Sequence, residues 1–181
     1  AKLKKTSHGA ELVSFGDFPI EPGFVEQGEI KKEDELAKTI KTALLKVQGE
    51  KLGTPYVVAS LPEEKAFLQV IQLPPMKKEE VQSAVNFELE NYIPYSPETV
   101  YVDSKIVPPI KDHLNHIDVL LAALPRKTVD SYVCLMQKIG LVPIVFEIES
   151  LASSRALIPQ EVSQFPILLV DLGATRTSFI V

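Results

Sequence analysis

Between Phe67 and Glu149 the hydrophobic period of the chain switches repeatedly between that of a strand and that of a helix, and prolines punctuate most of the switches. Phe67-Leu-Gln-Val-Ile-Gln-Leu73 reads as a strand, and Pro74-Pro75 breaks it. Lys77 to Ile93 places Val81, Ala84, Val85, Leu89 and Tyr92 on one helical face, and Pro94 stops it. Val100 to Val107 and Ile117 to Leu124 are strands separated by a polar loop from Pro108-Pro109 to His116. A helix then runs from Pro125 to Ile139, with Val129, Tyr132, Val133 and Met136 facing inward and Gly140 as its cap. Val142 to Ile148 is the closing strand. The order β-α-β-β-α-β is the split βαβ pattern, which predicts one small sheet with two helices on one face. Unrelated activities share it, so it carries no function by itself.

The flanks read as parts of a different domain. Ala1 to Lys5 and Ala10 to Gly16 form a hairpin around Thr6-Ser-His-Gly9. A lone terminal hairpin is marginal, so a central strand ahead of Ala1 is expected. Asp17 to Ile30 is rich in turn residues. Lys32 to Val47 is helical, with Leu36, Ile40, Ala43, Leu44 and Val47 on one face. Tyr56-Val-Val-Ala-Ser-Leu61 is a continuous apolar strand, expected to be buried on both faces. After the central block come a short helix, Leu151 to Ile158, a strand, Ile167 to Val170, and the second strand of a hairpin, Thr177 to Val181. The polypeptide is read as leaving a first domain near Leu61, building an inserted domain and returning near Ser150.

Composition removes several function classes. A formal net charge of −5 gives no electrostatic reason to expect nucleic acid as a partner. No apolar run approaches the roughly 20 residues that span a bilayer. Cys134, the only cysteine, cannot form an internal disulfide and reads as a small buried hydrophobe on the second helix. His113 and His116 sit in a polar loop without the three or four converging ligands of a metal centre, and His8 is a turn residue. Glu88 and Glu90, two apart on a helix, point to different faces and form no catalytic pair. Ser60 and Ser83 lack a nucleophile elbow, and the glycine-rich Gly-Lys-Ser/Thr loop is absent. Asn86 to Tyr95, with aromatics and a proline at a helix end, suits either a packing corner or a groove for a partner peptide.

The strongest chemical signal is Ile167-Leu-Leu-Val-Asp171-Leu-Gly173-Ala-Thr175-Arg-Thr177. Asp171 follows an apolar strand, where ligands meet sheets, and its carboxylate can face a metal. Gly173 leaves room for phosphate oxygens near the backbone. Thr175 and Thr177 offer hydroxyls, and the N–H groups of such a turn can form an anion nest. Arg176 is within reach of a phosphate, but reads first as a solvated hairpin arginine. Hairpins also use Asp and Gly for turn geometry alone, so the pattern leaves a phosphate loop and a structural turn both open.

With that turn, Glu88-Leu-Glu90-Asn-Tyr92-Ile-Pro94-Tyr95 is the more specific signature, and with Phe24-Val-Glu-Gln-Gly28-Glu-Ile30, Ser60-Leu-Pro62, Val129-Asp-Ser-Tyr132 and Gly140-Leu-Val-Pro143 the chain resembles the PilM family of actin-like type IV pilus assembly proteins. The resemblance implies an α/β, actin-like (ribonuclease H-like) fold fragment with an inserted β-α-β-β-α-β subdomain. Residues 1–61 would be a partial subdomain 1A, 62–149 the inserted subdomain 1C, 150–165 the return to 1A and 166–181 the start of a truncated 2A. It implies ATP with magnesium in the intact protein, held in part by Asp171, Gly173, Thr175 and Thr177, with Asp171 toward the metal. The family's first phosphate motif would precede Ala1, so no useful ATP affinity is expected of these 181 residues alone. The implied partner is the cytoplasmic tail of an inner-membrane, PilN-like protein, docking in a groove involving 1A and 1C, with further pilus platform or motor components. Lys65, Phe67 and Gln69 are the residues placed at that junction. The implied role is a cytoplasmic scaffold, peripheral to the bacterial inner membrane through its partners, with any weak ATPase activity confined to the full-length protein. An FtsA-like cell-division or secretion scaffold is the alternative. A sugar-kinase-group enzyme is less favoured, because no catalytic carboxylate with an acceptor site is present.

Overall fold

Helix-on-helix packing and a helix-covered sheet divide the described chain between them. The computed structural model describes residues 1–7, 9–107, 115–158, 165–173 and 176–180. In chain order the first elements are β1 (Lys2–Thr6), β2 (Gly9–Phe15), β3 (Val25–Glu26), β4 (Glu29–Ile30), α1 (Glu33–Leu45), β5 (Gln48–Gly49) and β6 (Tyr56–Leu61). There follow β7 (Phe67–Leu73), α2 (Lys78–Tyr92), β8 (Val100–Val107), β9 (Ile117–Pro125), α3 (Arg126–Lys138) and β10 (Val142–Ile148). The last are α4 (Glu149–Leu157), β11 (Leu169–Leu172) and β12 (Thr177–Ile180). Contacts separate this mixed α/β chain into two units, Ala1–Ala59 with Asp130–Phe146, and Ser60–Val129 with Glu147–Val181.

The first unit is built where α1 meets α3. Leu36 and Ala37 of α1 bury against Leu135 and Ile139 of α3, and Phe24, Ile30, Ile40, Leu44, Met136 and Leu141 complete the cluster. Tyr132, Leu135, Met136 and Ile139 recur at the helical period, so one stripe of α3 carries the packing. Gly140, at φ 82, ends α3. The Gly140 N–H donates to the Gln137 carbonyl at 3.0 Å, and the Leu141 N–H to that of Met136 at 2.9 Å. This is a Schellman motif, and its left-handed residue is the one a side chain would disfavour. Charge reinforces the same pair of helices. The ammonium of Lys138, in the last turn of α3, lies 2.8 Å from Glu33 and 2.6 Å from Asp34 in the first turn of α1. Each charge complements the dipole of its own helix end. The turn between β3 and β4, Gln27-Gly28, has both residues at positive φ, as a two-residue hairpin requires. The Tyr132 hydroxyl donates to the Gly28 carbonyl at 3.2 Å and fixes that turn on α3.

In the second unit, β7, β9 and β8 form an antiparallel sheet with β9 in the middle. Strand alternation sends Ile71, Leu73, Val119, Leu121, Ala123 and Val100 to one face. There Val81, Val85 and Leu89 of α2, with Ile93, cover them. The alternate residues Leu68, Val70, Leu120 and Ala122 fall on the other face by register. Glu80 starts α2 by accepting the Lys77 N–H at 3.0 Å, half of a capping box. Arg126 stacks its guanidinium 4.2 Å from the centre of the Tyr101 ring and donates to the Glu98 carbonyl at 2.9 Å.

The sequence expectations differ from this structure in three places. The order β-α-β-β-α-β is present, but the expected single sheet with two helices on one face is not. The last strand, β10, pairs with β6, and among the described residues α2 is the helix whose side chains join the core of the three-stranded sheet. The reason lies in α3, whose apolar stripe finds its partner in α1. The strand Tyr56–Leu61 is not buried on both faces, since Tyr56 and Val58 are each 61% exposed. A continuous apolar run signals a strand without fixing what lies above and below it. Cys134 is exposed, because it sits between the packing positions 132 and 136 on the opposite side of the turn. His113 and His8 lie outside the described residues, while the ring of His116 meets Gln72 at 3.1 Å and Asp118 at 3.4 Å.

Adjacent positions on α3 therefore have opposite expected costs. Leu135→Ala should destabilise the chain by about 3 kcal/mol in urea denaturation, as cavity-forming changes at fully buried leucines do. Cys134→Ala should stay within about 0.5 kcal/mol of the unaltered chain. Equal effects at the two positions would contradict the packing of α3 on α1.

Candidate functional site

The hairpin β11–β12 is closed by its own backbone. Asp171 pairs with Ser178 and Leu172 with Thr177, and the Gly173 N–H donates to the Arg176 carbonyl at 2.8 Å. A Cβ on Gly173 would stand 2.9 Å from that oxygen, so close approach of the two chain segments is enough to require glycine here. Asp171 does not follow the strand, as the sequence suggested, but lies within it, since β11 extends to Leu172. The strand is also not buried: Val170 is 48% exposed and Leu172 is 78% exposed. It belongs to a two-stranded ribbon, and its apolar residues have no second layer within that sheet.

Arg176 is the hub of the site. Its Nη2 donates to Glu149 Oε2 at 3.0 Å, its Nη1 lies 2.8 Å from Glu64 Oε1, and Glu63 Oε1 is 3.7 Å away. The three legs are unequal. Glu64 acts on the guanidinium first through its charge and less through a hydrogen bond. Burial opposes the guanidinium's charge, but Glu149, Glu64 and Glu63 outweigh it and hold the pKa above its ordinary value. Glu149 opens the first turn of α4, where the helix dipole also favours a carboxylate. Glu63 and Glu64 belong to the 3-10 turn Glu63–Lys65 that precedes β7. The Ser178 hydroxyl donates to Glu63 Oε1 at 2.6 Å. That bond first, and the Arg176 charge with it, keep the Glu63 carboxyl below the usual range against the effect of burial.

These groups border a cleft of about 580 Å³, lined by Glu64, Glu149, Ser153, Asp171, Gly173 and Arg176 among others. Sequence reasoning named Asp171, Gly173 and Thr177, and the structure places all three on the hairpin, with Asp171 and Gly173 lining the cleft. Thr175 lies outside the described residues. Arg176 is not the solvated hairpin arginine expected. Its three carboxylate partners come from segments distant in sequence, and only the Glu63-Glu64 pair following Ser60-Leu-Pro62 could have hinted at them. Of the residues named for a partner, Lys65 ends the 3-10 turn and Gln69 is exposed, but Phe67 packs against the sheet core. Thus the Asp171 turn and the Lys65 segment, read separately from sequence, are neighbours joined through Ser178 and Glu63.

Nucleotide phosphates need donors, and a magnesium ion needs a carboxylate. Asp171 is an exposed carboxylate and suits the ion, although among the described residues no group of three or more His, Cys, Asp or Glu could hold a metal. The donors are committed elsewhere. The Gly173 N–H is spent on Arg176, and the guanidinium is spent on three glutamates. As folded here, the described residues do not by themselves fit a phosphate.

Residues 1–181 match the family described as "Type IV pilus assembly protein PilM". Among solved structures the chain is similar to one in the "PilM-PilN type IV pilus biogenesis complex", with 28% identity and a TM-score of 0.82, covering 98% of this chain and 53% of that one. It therefore spans about half the length of that solved chain. A weaker match, to the cytoplasmic domain of EpsL, an inner-membrane component of the type II secretion system of Vibrio cholerae, has 15% identity and a TM-score of 0.49 over 84% of this chain and 57% of that one. That likeness is too slight to carry an argument. No helix among the described residues is long and apolar enough to cross a membrane.

The depressed Glu63 pKa has a definite sign in the stability of this site. Ionised Glu63 stabilises the folded state above the ordinary carboxylate value of about 4.3, and that contribution is lost as pH falls through the lower folded value. In a carboxyl-carbon NMR titration, Ser178→Ala is expected to return Glu63 toward the ordinary range. A Glu63 titration unmoved by that change would mean the Ser178 bond does not form.

Proposed function

Since the chain belongs to the PilM family, we propose that it forms part of an actin-like scaffold for type IV pilus assembly. It would engage the cytoplasmic tail of a PilN-like inner-membrane protein. The observation that supports this best is the backbone agreement, over nearly the whole chain, with a protein solved as a PilM–PilN complex. In this reading the protein is cytoplasmic and reaches the inner membrane through its partners, which include further platform or motor components. Residues 1–61 and 150–165 correspond to subdomain 1A, 62–149 to the inserted 1C and 166–181 to the start of 2A. The grouping of residues 130–146 with the N-terminal unit means that α3 is shared between these divisions.

The partner surface of this reading lies along the start of β7. Among the described residues that strand is at the edge of its sheet, with β9 as its neighbour, so its outer backbone groups can take an added strand. Lys65 and Gln69 offer polar contacts there. Phe67, partly buried against the sheet core, completes this partner surface with them.

Nucleotide enters as a conformational ligand of the intact protein. On the family resemblance, Asp171, Gly173, Thr175 and Thr177 would line one side of a phosphate turn with Asp171 toward a magnesium ion, and the donors that the described residues lack would have to come from elsewhere in the intact protein. The chemistry asked of these residues is holding, not bond-breaking, and no catalytic residue is assigned.

The deciding experiment is calorimetric titration of the protein with a synthetic PilN-like N-terminal tail. Lys65→Glu is expected to weaken the complex about tenfold, roughly 1.4 kcal/mol. Unchanged affinity would remove Lys65 and the β7 edge from the interface, and no binding by the unaltered protein would overturn the scaffold reading.

A further inference from the structure

The sheet β7–β9–β8 has two edges, and β8 forms the one opposite β7. Among the described residues β9 is the strand that neighbours it. We propose that β8 is a self-association surface, along which two copies of this protein pair antiparallel about a two-fold axis at Ser104. Two three-stranded sheets then join into one of six. This stands apart from the tail and nucleotide readings, since the tail is assigned to the β7 edge.

Three observations carry it. The first is the direction of the backbone groups. In an antiparallel ladder alternate residues turn their N–H and C=O toward alternate neighbours. The Ser104 N–H donates to the Asp103 carboxylate at 2.9 Å, off the ladder with β9. Pro125 has no N–H to give, and it stands opposite Val100, which shares the parity of Ser104. Both facts turn the backbone of Val102, Ser104 and Ile106 outward and leave the bonds to β9 with Tyr101, Asp103, Lys105 and Val107. The second is the division of side chains. Val102 and Ile106 pack on the core under α2, and the Ser104 hydroxyl donates to Gln82 of that helix at 3.1 Å. The odd-numbered residues take the other face, where Asp103 and Lys105 are exposed and Tyr101 is 43% exposed.

The third is the sequence of the strand, Val100-Tyr-Val-Asp-Ser-Lys-Ile-Val107, which complements its own reverse. With the axis at Ser104, the two Ser104 residues exchange N–H···O=C bonds, and Val102 does the same with Ile106 of the second copy. Asp103 then faces Lys105 twice, at the non-hydrogen-bonded positions where Cα atoms lie about 4.5 Å apart and side chains are closest. Tyr101 meets Val107. Moving the axis to Val102 or Ile106 keeps the backbone parity, but sets Asp103 against Tyr101 or Lys105 against Val107. An axis at Asp103 or Lys105 opposes like charges, which is destabilising. One register therefore satisfies backbone, charge and apolar face together. The Ser104 N–H exchanges a carboxylate for a carbonyl, which releases Asp103 to the ammonium. An ammonium has three donors, so Lys105 can accept Asp103 alongside a bond it already makes. A contact one strand wide is small beside the roughly 1,200–2,000 Å² of stable complexes, so the dimer is weak, with a Kd on the order of 10–100 μM.

The test is sedimentation equilibrium on the intact protein at low salt, where ion pairs are least screened. The unaltered protein is expected to dimerise in that concentration range. Asp103→Lys sets lysine against lysine, and Lys105→Asp sets aspartate against aspartate, so each variant alone should associate at least about tenfold more weakly. Mixed in equal amounts, the two variants meet with opposite charges at both positions. Their heterodimer should return to within about threefold of the unaltered Kd. Recovery in the mixture shows that both variants are folded, so misfolding cannot imitate the result. An unaltered protein that stays monomeric at about 1 mM would overturn the proposal and leave the β8 edge to solvent or to the strand of another protein. Association unchanged in the single variants would assign the dimer to another surface and overturn it as well. Weakening in both variants without recovery in the mixture would overturn the two-fold pairing at Ser104.

Discussion

The pairing of α3 with α1 is the constraint on which the first unit depends. A helix has one apolar stripe to satisfy, and Leu135 and Ile139 commit that stripe to Leu36 and Ala37. In the second unit, α2 covers one face of the sheet β7–β9–β8 through Val81, Val85 and Leu89. The pairing of α3 with α1 also brings Tyr132 to the Gly28 carbonyl and Lys138 to the acidic start of α1. Hydrophobic burial supplies the energy of this junction, and the polar contacts set its register. Exposed ion pairs such as Lys138 with Glu33 and Asp34 contribute little by themselves.

How much of this was legible in the sequence depends on the range of the interaction. Local signals translated well. The periodicity of Val81, Val85 and Leu89 gave α2 its buried face, Gly140 marked the end of α3, and Asp171-Leu-Gly173 marked a hairpin turn. Signals that need a partner did not. Nothing in Val142–Ile148 says that it pairs with β6 and not with the sheet, because its apolar character suits either neighbour. The inward face of α3 read from sequence, Val129, Tyr132, Val133 and Met136, omits Leu135 and Ile139, which are its buried residues, and Cys134 lies opposite either face. Arg176 was misjudged for a similar reason. A charge looks solvated in sequence until the folded chain brings Glu63, Glu64 and Glu149 to it.

The candidate site shows how turn chemistry and structural demand overlap. Glycine at 173 suits a phosphate turn, yet the close Arg176 carbonyl would select glycine on its own. Arginine at 176 suits an anion, yet in the folded chain it neutralises glutamates. Both residues therefore serve the hairpin, whatever else they serve. Ser178, outside the motif that sequence reasoning isolated, links the turn to the segment leading into β7. A tail docking beside Lys65 and an anion at the Asp171 turn would then act on the same few side chains.

The α1–α3 junction has a consequence for how the chain is made. The partners that meet there are far apart in sequence: Tyr132 and Gly28 are separated by 104 positions, and Lys138 and Glu33 by 105. At synthesis rates of about 5–20 residues per second, α1 waits on the order of 5–20 s on the ribosome before α3 exists. During that interval Leu36 and Ala37 lack Leu135 and Ile139. The sheet of the second unit waits too, since its middle strand is the last of the three to be translated. Both cores thus close late and almost together. A nascent chain of this design carries uncovered apolar surface until α3 and β9 emerge, which makes it a natural client for chaperones that bind at the ribosome exit.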